Sequence, residues 1–342
     1  MIRVLVVGLG QMGQSHALAY ATDPAFDVVG LVNRSDVALP DALAHLPIER
    51  DFDVALARLN PDMVAIATYS DSHADLAIKA MQAGAHVFVE KPLATTVADC
   101  ERVAQVAQDT GRKLMVGHIL RHHPTWQALI AEARALRGPY VFRLNLNQRS
   151  TGPAWEIHKA LMQSTPPIVD CGVHYVDVMC QITDAAPVEV RGMGLRLSNE
   201  IAPEMYNYGH FQVLFEDGSC GWYEAGWGPM MSETAHFVKD VVSPGGAVSL
   251  RAPIGVGSAD VEGHTAADQL IVAPTGQGET LRDFAHSPGH QGLCDRQAAA
   301  MARAITEDHD LSRHVSDAVR SVAICLAADE SVRSGQPVRL KP

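Results

Sequence analysis

An apolar run followed at once by a glycine-rich turn constrains the start of this chain most strongly. Ile2 to Val7 is a continuous β-branched and leucine segment, typical of a strand buried on both faces of a parallel sheet. Gly8-Leu-Gly10-Gln-Met-Gly13 follows directly, and a helical pattern begins at Met12. Such glycines permit a tight bend, close approach of a pyrophosphate, and close packing of helix on strand. Because the helix N-terminus adds free N–H groups, the segment predicts a dinucleotide-binding unit.

The pattern of the remaining chain predicts two domains. Strand-like segments at 26–32, 62–67, 86–89 and 113–116 alternate with helical segments, which is typical of a doubly wound parallel Rossmann sheet. After residue 138, long strands alternate in polarity, Asp217-Gly218 indicates a hairpin, and two helices close the chain. The prediction is α/β: a Rossmann domain over 1–120, then an α+β domain over 121–342. We expect the second domain to hold a large, mostly antiparallel open sheet that binds substrate and forms oligomer contacts.

Charge and cysteine content exclude several classes of protein. The chain has 39 Asp+Glu against 27 Lys+Arg, a net charge of −12, which disfavours nucleic acid or an anionic membrane surface as partner. The six cysteines are scattered without a Cys-x-x-Cys pair, as in reduced cytoplasmic proteins. The N-terminal apolar run breaks at Gly8 and Gly10, so it does not resemble a signal peptide. We therefore expect a cytoplasmic protein.

The residues that follow the second strand bear on the choice of cofactor. An NAD-binding protein commonly has an acidic residue here to bind the ribose 2′-hydroxyl, whereas this chain has Asn33-Arg34-Ser35. Asn33 removes a carboxylate that would repel a 2′-phosphate, and Arg34 and Ser35 could bind one. The alternative is that Arg34 stacks on the adenine and Asn33 still bonds the ribose of NAD. We favour NADP.

A second polar turn ends the strand at 86–89. Glu90-Lys91-Pro92 follows it, and the proline restrains the backbone of Lys91 at the sheet edge where ligands bind. Taken alone, Lys91 also fits a solvated loop lysine.

Several motifs together resemble the glucose–fructose oxidoreductase, inositol dehydrogenase and rhizopine-catabolism (Gfo/Idh/MocA) family. They occur in the family's order and span nearly the whole chain. They are the glycine-rich turn, Ala83-Gly-Ala-His86-Val-Phe-Val-Glu90-Lys91-Pro92, Gly117-His118-Ile-Leu-Arg121-His-His-Pro124, Asp170-Cys-Gly172-Val-His174-Tyr-Val-Asp177, Phe215-Glu-Asp217-Gly218 and Ser331-Val-Arg-Ser-Gly335. The resemblance implies an NAD(P)-dependent oxidoreductase that acts on a secondary alcohol or ketone of a sugar, cyclitol or related polyol.

The resemblance also implies the site residues. Lys91, Asp170 and His174 would be catalytic: His174 as general base, Lys91 as partner of the reacting oxygen, and Asp170 as a substrate ligand that favours the protonated imidazole. The predicted cofactor contacts are Gly8, Gly10, Gln11, Met12, Gly13, Asn33, Arg34, Ser35, Thr68, His73, Glu90 and Lys91.

The segment from Asp170 to Thr183 reads as a helix with one polar face. His174 and Asp177 lie within about 40° of Asp170 on it, so periodicity alone also fits a solvated acidic face. We predict that Asp177 orients His174 or binds substrate, and that Trp155, His158 and His118 are further substrate contacts. His118 and His122 have a spacing that suits a metal, but no carboxylate or cysteine completes a site, so we predict none.

Aromatic residues concentrate on one hairpin of the second domain. Trp222, Tyr223 and Trp227 could form a wall for a sugar, but we favour a subunit interface on the open sheet face and hence a homodimer or homotetramer. Residues 251–267 are predicted to form a long surface loop, a candidate lid. Two rival functions stay open: a non-catalytic dinucleotide-binding regulator, and a sugar lyase or hydrolase that uses tightly bound NAD transiently.

Overall fold

The computed structural model describes residues 1–259, 265–284 and 287–340, and the chain divides into two compact units. The first unit comprises residues 1–119 and 290–322, and the second comprises 120–289 and the residues from 323 onward.

The first unit is built around a parallel sheet. Its first ten elements are β1 (Ile2–Val7), α1 (Gln11–Thr22), β2 (Phe26–Val32), β3 (Ile48–Glu49), α2 (Phe52–Leu59), β4 (Met63–Ile66), α3 (His73–Gln82), β5 (His86–Val89), α4 (Val97–Thr110) and β6 (Leu114–Val116). Among the described residues the six strands have the order β3-β2-β1-β4-β5-β6, all parallel. This confirms the doubly wound Rossmann sheet. The strand order reverses between β1 and β4, where such sheets bind ligands.

The second unit is built around a larger sheet. Its first elements are α5 (Pro124–Leu136), β7 (Val141–Gln148), α6 (Pro153–Leu161), α7 (Pro167–Asp170), α8 (Gly172–Ile182), β8 (Pro187–Leu195), β9 (Tyr208–Phe215), β10 (Cys220–Trp227), β11 (Lys239–Ser243), β12 (Gly246–Arg251), β13 (Gln269–Pro274) and β14 (Thr280–Asp283). Over the described chain, nine strands run in the order β14-β13-β12-β11-β7-β10-β9-β8-β15, where β15 is Val338–Arg339. Among the described strands of this second sheet, only β7 and β10 pair in parallel. The predicted mostly antiparallel sheet is confirmed.

Two C-terminal helices follow, α9 (His290–Thr306) and α10 (Ser312–Ser334). Helix α9 and the first part of α10 belong to the first unit, where α9 packs on α1. The predicted division at residue 120 lies beside the boundary of the units, but the prediction assigned residues 290–322 to the second domain. Helical periodicity gives the position of a helix in the sequence and its apolar face, not the sheet against which it packs.

The large sheet has one face covered by helices and one face open. Tyr223 and Trp227 lie on the covered face with 0% and 1% exposure, because α7 and α8 pack there. Trp222 points to the opposite face, since neighbouring strand residues alternate. The open face also presents Val141 and Leu214, which are 46% and 41% exposed. The expectation that all three aromatic residues form the open surface is therefore wrong for Tyr223 and Trp227.

Within the described residues, no helix has both the length and the apolar character needed to cross a bilayer. The described part of the loop predicted over 251–267 contains no helix and no strand after Arg251, and residues 260–264 lie outside the described residues.

Candidate active site

The glycine-rich turn adopts the geometry that its sequence predicts. Gly8 has a φ of +86°, and a Cβ on it would lie 2.6 Å from the carbonyl oxygen of Ala67. A Cβ on Gly13 would lie 1.8 Å from the carbonyl oxygen of Gly8, so helix and strand pack closely there. A Cβ on Gly10 would meet nothing within 4 Å. Helix α1 begins at Gln11 without a side-chain cap, which leaves its first N–H groups able to bind an anion.

Asn33 anchors this turn from the end of β2. Its Oδ1 accepts a hydrogen bond from the backbone N–H of Leu9 at 3.0 Å, and its Nδ2 donates to the carbonyl of Ser35 at 2.8 Å. Arg34 and Ser35 are exposed. Close by in sequence, Asp36 forms an ion pair with Arg50. The Asn33-Arg34-Ser35 segment thus lies beside the glycine-rich turn. Its exposed Arg34 is basic, and the next residue, Asp36, is acidic.

Glu90 is a buried carboxylate that fixes the backbone of Lys91. Its Oε1 lies 2.7 Å from Nε2 of His16 on α1, and its Oε2 accepts the N–H of Lys91 at 3.0 Å. A Cβ on Gly117 would lie 2.9 Å from Oε1, so the absent side chain makes room for the carboxylate. Glu90, predicted as a cofactor contact, is 7% exposed, and its carboxylate binds groups of the protein itself. Lys91 is half-buried. The pair with His16 had no signal in the sequence.

The other two predicted cofactor contacts of the first unit lie after β4. Thr68 is partly exposed, and its hydroxyl lies 2.7 Å from that of Ser72. His73 is 1% exposed, and both of its ring nitrogens lie at hydrogen-bond distance from backbone carbonyl oxygens, those of Thr68 and Pro92. The ring of His73 is thus occupied by the protein rather than presented to a ligand.

Asp170 and His174 remain accessible on an otherwise buried segment of the second unit. Every residue from Cys171 to Cys180 is buried except His174, and Asp170 is also partly exposed. The predicted helix is two helices, α7 and α8, joined at Cys171, which keeps a helical backbone. Pro167 begins α7, a position that proline tolerates because its missing N–H would be unpaired there.

Asp177 lies one turn further along α8 and is not exposed at all. Its carboxylate accepts three hydrogen bonds of 2.6–3.1 Å from the guanidinium of Arg121, and a fourth of 2.9 Å from Nε2 of Gln181. These four hydrogen bonds, from three donor nitrogens, leave the carboxylate little capacity to bind a substrate hydroxyl. The alternative of a solvated acidic face on the segment from Asp170 to Thr183 is therefore wrong at Asp177, which is buried with its charge compensated by a partner on another element.

His158 stacks on Trp227 within the second unit. The ring centroids are 4.3 Å apart and the planes 10° apart, and Nδ1 of His158 lies 2.9 Å from the hydroxyl of Ser150. Burial lowers the pKa of His158 to about 4, although the charge of Asp170 raises it. His158 is therefore neutral near neutral pH and shares an electrostatic environment with Asp170.

Two other predicted substrate contacts have little accessible surface. Trp155 is 5% exposed, with the ammonium of Lys159 5.9 Å from its ring centroid. His118, in the first unit, is 1% exposed, and its ring centroid lies 6.3 Å from that of His314.

Lys239 is an unusual group that the sequence did not indicate. It lies on β11, 3% exposed, with its ammonium 4.5 Å from the ring centroid of Tyr175 and 4.9 Å from that of Phe237. It donates a hydrogen bond to the backbone carbonyl of Asn145. Burial lowers the pKa of Lys239 to about 7, against smaller opposing effects of Cys171 and Glu224.

The described residues form no cluster of side chains suited to bind a metal ion. Over residues 1–259, 265–284 and 287–340, no group of three or more His, Cys, Asp or Glu side chains is arranged to hold a metal ion. Residues 119–122 form a 3-10 turn, so the histidine spacing at 118 and 122 does not fall on one α-helix.

Family models match both parts of the chain. Residues 2–118 match the oxidoreductase family with an NAD-binding Rossmann fold, and residues 131–236 match the Gfo/Idh/MocA C-terminal domain. This chain belongs to the Gfo/Idh/MocA family of oxidoreductases. The resemblance of its motifs to that family is confirmed, and its first unit carries the family's NAD-binding fold.

Named relatives of the chain within the Gfo/Idh/MocA family are dehydrogenases. A 4-carboxy-2-hydroxymuconate-6-semialdehyde dehydrogenase of Sphingobium sp. is 31% identical over 46% of this chain and 54% of its own length. The scyllo-inositol 2-dehydrogenase (NAD(+)) of Bacillus subtilis is 24% identical over 99% of this chain and 96% of its own length. The chain spans about half the length of several other relatives that it matches. An oxidoreductase domain protein from Kribbella flavida shares the fold, with a TM-score of 0.80 at 23% identity over all of both chains.

Proposed function

We propose that this protein transfers a hydride between a nicotinamide cofactor and a secondary alcohol or ketone of a sugar, cyclitol or related polyol. One observation carries the proposal: Asp170 and His174 stay accessible on a segment whose other residues, from Cys171 to Cys180, are buried. A carboxylate and an imidazole four residues apart suit recognition of a hydroxyl group and removal of its proton. The inositol dehydrogenases among the relatives support the substrate class.

The chemistry divides among three residues of the chain. His174 takes the hydroxyl proton as the alcohol is oxidised and returns it in the reductive direction. Lys91 donates a hydrogen bond to the reacting oxygen and stabilises its developing negative charge. Asp170 accepts a hydrogen bond from a substrate hydroxyl and favours the protonated form of His174. When bound, the nicotinamide supplies the hydride acceptor or donor.

The first unit supplies the binding site for the cofactor. Gly8, Gly10, Gln11, Met12 and Gly13 would hold the pyrophosphate at the open N-terminus of α1. Because Asn33 replaces the usual acid and Arg34 is exposed beside it, NADP(H) is the preferred cofactor and NAD(H) the alternative.

Burial argues against direct contact with the substrate for some of the predicted residues, above all Asp177. His158 and Trp155 remain the candidates in the second unit, since His158 shares the electrostatic environment of Asp170. Asp177 acts through its ion pair with Arg121 and holds α8 in place instead of binding substrate. His118 stays a proposed substrate contact. Because only 1% of its surface is exposed, the ring would have to become more accessible when substrate binds.

We also propose an oligomeric state and a cellular location for the protein. We expect a homodimer or homotetramer that uses the open sheet face, supported by the exposed Val141 and Leu214 and the partly exposed Trp222. A net charge of −12 disfavours nucleic acid and anionic membranes as partners, and the scattered cysteines favour the cytoplasm.

A binding screen followed by an activity assay tests the proposal. Thermal unfolding is recorded with NAD(H) and NADP(H), and scyllo-inositol, other cyclitols and aldoses are then assayed with the cofactor that stabilises more. A cofactor present at 100 times its dissociation constant adds about 2.7 kcal/mol of stability. Binding of a cofactor without turnover of any polyol favours the non-catalytic regulator, and a cofactor that survives purification favours the lyase or hydrolase.

A further inference from the structure

His73 contacts two segments that meet at the carboxyl edge of the parallel sheet. It is the first residue of α3 and is 1% exposed. Its Nδ1 lies 2.8 Å from the carbonyl oxygen of Pro92, which follows Lys91, and its Nε2 lies 3.1 Å from the carbonyl oxygen of Thr68, which follows β4. One imidazole therefore bridges the Glu90-Lys91-Pro92 turn and the Thr68 loop.

The two contacts cannot be equivalent in a neutral ring. A carbonyl oxygen only accepts hydrogen bonds, and a neutral imidazole carries a single N–H. One nitrogen of neutral His73 donates to a carbonyl, while the lone pair of the other nitrogen faces a second carbonyl oxygen. The shorter distance, to Pro92, places the proton on Nδ1. A protonated ring instead donates to both carbonyls.

The surroundings of His73 oppose its positive form. Burial lowers its pKa, the charge of Lys91 lowers it further, and the two carbonyls together with the charge of Glu90 raise it, with a net lowering. The position of the ring at the N-terminus of α3 also disfavours a cation. Further along α3, Asp75 pairs at the surface with Arg102 of α4 at 2.9 Å. The neutral ring, with one hydrogen bond, therefore predominates near neutral pH.

We propose that His73 is a positioning residue for Lys91: it holds the Lys91-Pro92 turn to α3 through the hydrogen bond to the Pro92 carbonyl, and when protonated it also binds the Thr68 carbonyl. The effect on catalysis rests on the proposed role of Lys91, whereas the hydrogen bonds do not. Acidification tightens the connection at the Thr68 loop, and the bond to Pro92 persists throughout.

Three substitutions separate the two contacts. His73→Asn keeps an amide donor near the position of Nδ1 and loses the contact with Thr68. His73→Gln places its donor near the position of Nε2 and loses the contact with Pro92, and His73→Leu removes both. Hydrogen–deuterium exchange of residues 66–72 and 89–95 then reports each segment in the protein without ligand.

We expect exchange about three- to tenfold faster in the segment that loses its contact, as for one hydrogen bond. In acid, where the wild-type ring is protonated, His73→Asn should affect only residues 66–72, His73→Gln only 89–95, and His73→Leu both. Near neutral pH, His73→Asn should leave both segments unchanged. In the wild type, protection of 66–72, corrected for the intrinsic rate, should decrease as the pH rises toward 6.5 and stay constant above it, because the pKa of His73 is lowered from 6.5. No variant should show this change. Equal effects of Asn and Gln, or normal protection in His73→Leu, would overturn the proposal.

Ring 15N spectra of the histidine-labelled wild type keep the proposal testable even if a variant does not fold. The His73 signals, identified by their loss in His73→Gln or by assignment, should show an Nδ1–H tautomer at pH 8 and protons on both nitrogens in acid. An Nε2–H tautomer at pH 8 would overturn it. Turnover of a polyol by His73→Asn and His73→Gln then tests the link to Lys91: a fall in kcat without a rise in the cofactor KM is expected. Unchanged exchange refutes the hydrogen bonds, whereas altered exchange without any wild-type turnover refutes only the proposed function.

Discussion

Arg121 and Asp177 form a buried bidentate ion pair next to the segment that carries His174. The side chain of Asp177 has no exposed surface, and that of Arg121 is 14% exposed. Removal of one partner from such a pair leaves an uncompensated charge in the interior. The pair thus stabilises the position of α8, while His174, three residues earlier on the same helix, remains accessible.

Substitution of Arg121 should therefore destabilise the fold strongly. Arg121→Leu is expected to lower the free energy of unfolding by about 3–5 kcal/mol, as for other broken buried pairs. The matched control is Arg333→Leu, which breaks a more exposed pair with Asp329 and should cost at most about 1 kcal/mol. Urea denaturation of both variants measures the difference. Equal losses would show that burial does not set the strength of the Arg121 pair.

Cofactor preference should follow the charge at residue 33. Asn33→Asp keeps an oxygen for the N–H of Leu9 but adds a charge that repels a 2′-phosphate and binds a ribose hydroxyl. Preference should shift from NADP(H) toward NAD(H), and Asp36→Asn should shift it the other way. Equilibrium titration of both cofactors decides the matter. A wild type that binds NAD(H) at least as tightly as NADP(H) contradicts the proposed preference.

Turnover should depend on Lys91 and His174. Loss of a general base costs about 10²–10⁴-fold and loss of an oxyanion donor about 10²–10³-fold, so Lys91→Met and His174→Asn should nearly abolish activity. Affinity for the cofactor should change much less, and the two losses should not add if, as proposed, both residues act on one oxygen. Oxidation should speed up with rising pH, because only a deprotonated general base can take the hydroxyl proton.

The control for these variants is Lys79→Met, which removes an exposed lysine of the first unit. It should retain full turnover. Substantial turnover by Lys91→Met with the identified substrate would reduce Lys91 to a solvated loop lysine.

Stability above neutral pH should depend on Lys239. Because its pKa is lowered from 10.5 to about 7, the unfolded chain binds the extra proton between these values. The contribution of Lys239 to the free energy of unfolding should therefore rise with pH from about 7 to 10.5, by up to about 5 kcal/mol, and level off below 7. Above about pH 9 the buried cysteines, whose pKa burial raises, oppose this rise, so the contribution is measured as the difference between wild type and Lys239→Met. Lys239→Met should remove this rise, whereas Lys79→Met should keep it. Denaturation at pH 7, 8, 9 and 10 measures both, and parallel slopes in wild type and Lys239→Met would refute the assignment.

The oligomeric state should respond to a charge on the open sheet face. Leu214→Arg is expected to shift the wild-type oligomer toward a 36.8 kDa monomer, because an arginine cannot be buried in an apolar interface without a partner. Val54→Arg, at a site 53% exposed in the first unit, is the control and should leave assembly unchanged. Sedimentation at micromolar concentration measures both. A wild type that sediments as a monomer removes the basis for the proposed interface.

The local order of residues determined much of the fold. The Ile2–Val7 run, the three glycines and the alternation of strands and helices predicted the Rossmann sheet, because each depends on neighbours in the sequence and on the geometry of one turn. The same holds for the hairpin at Asp217-Gly218, where Gly218 has a φ of +84°. The motifs that carry the family resemblance are also local, and they predicted Lys91, Asp170 and His174 as site residues.

The tertiary structure alone decided which polar groups are paired and which remain accessible. Asp177 and Arg121 are 56 positions apart, and Glu90 and His16 are 74 apart, so no spacing rule connects them. The packing of α7 and α8 on β10 also decided that the face with Tyr223 is buried and the face with Trp222 is open. The physical reason is that burial and charge compensation depend on packing between elements distant in sequence, whereas turns, caps and periodicity depend on neighbouring residues.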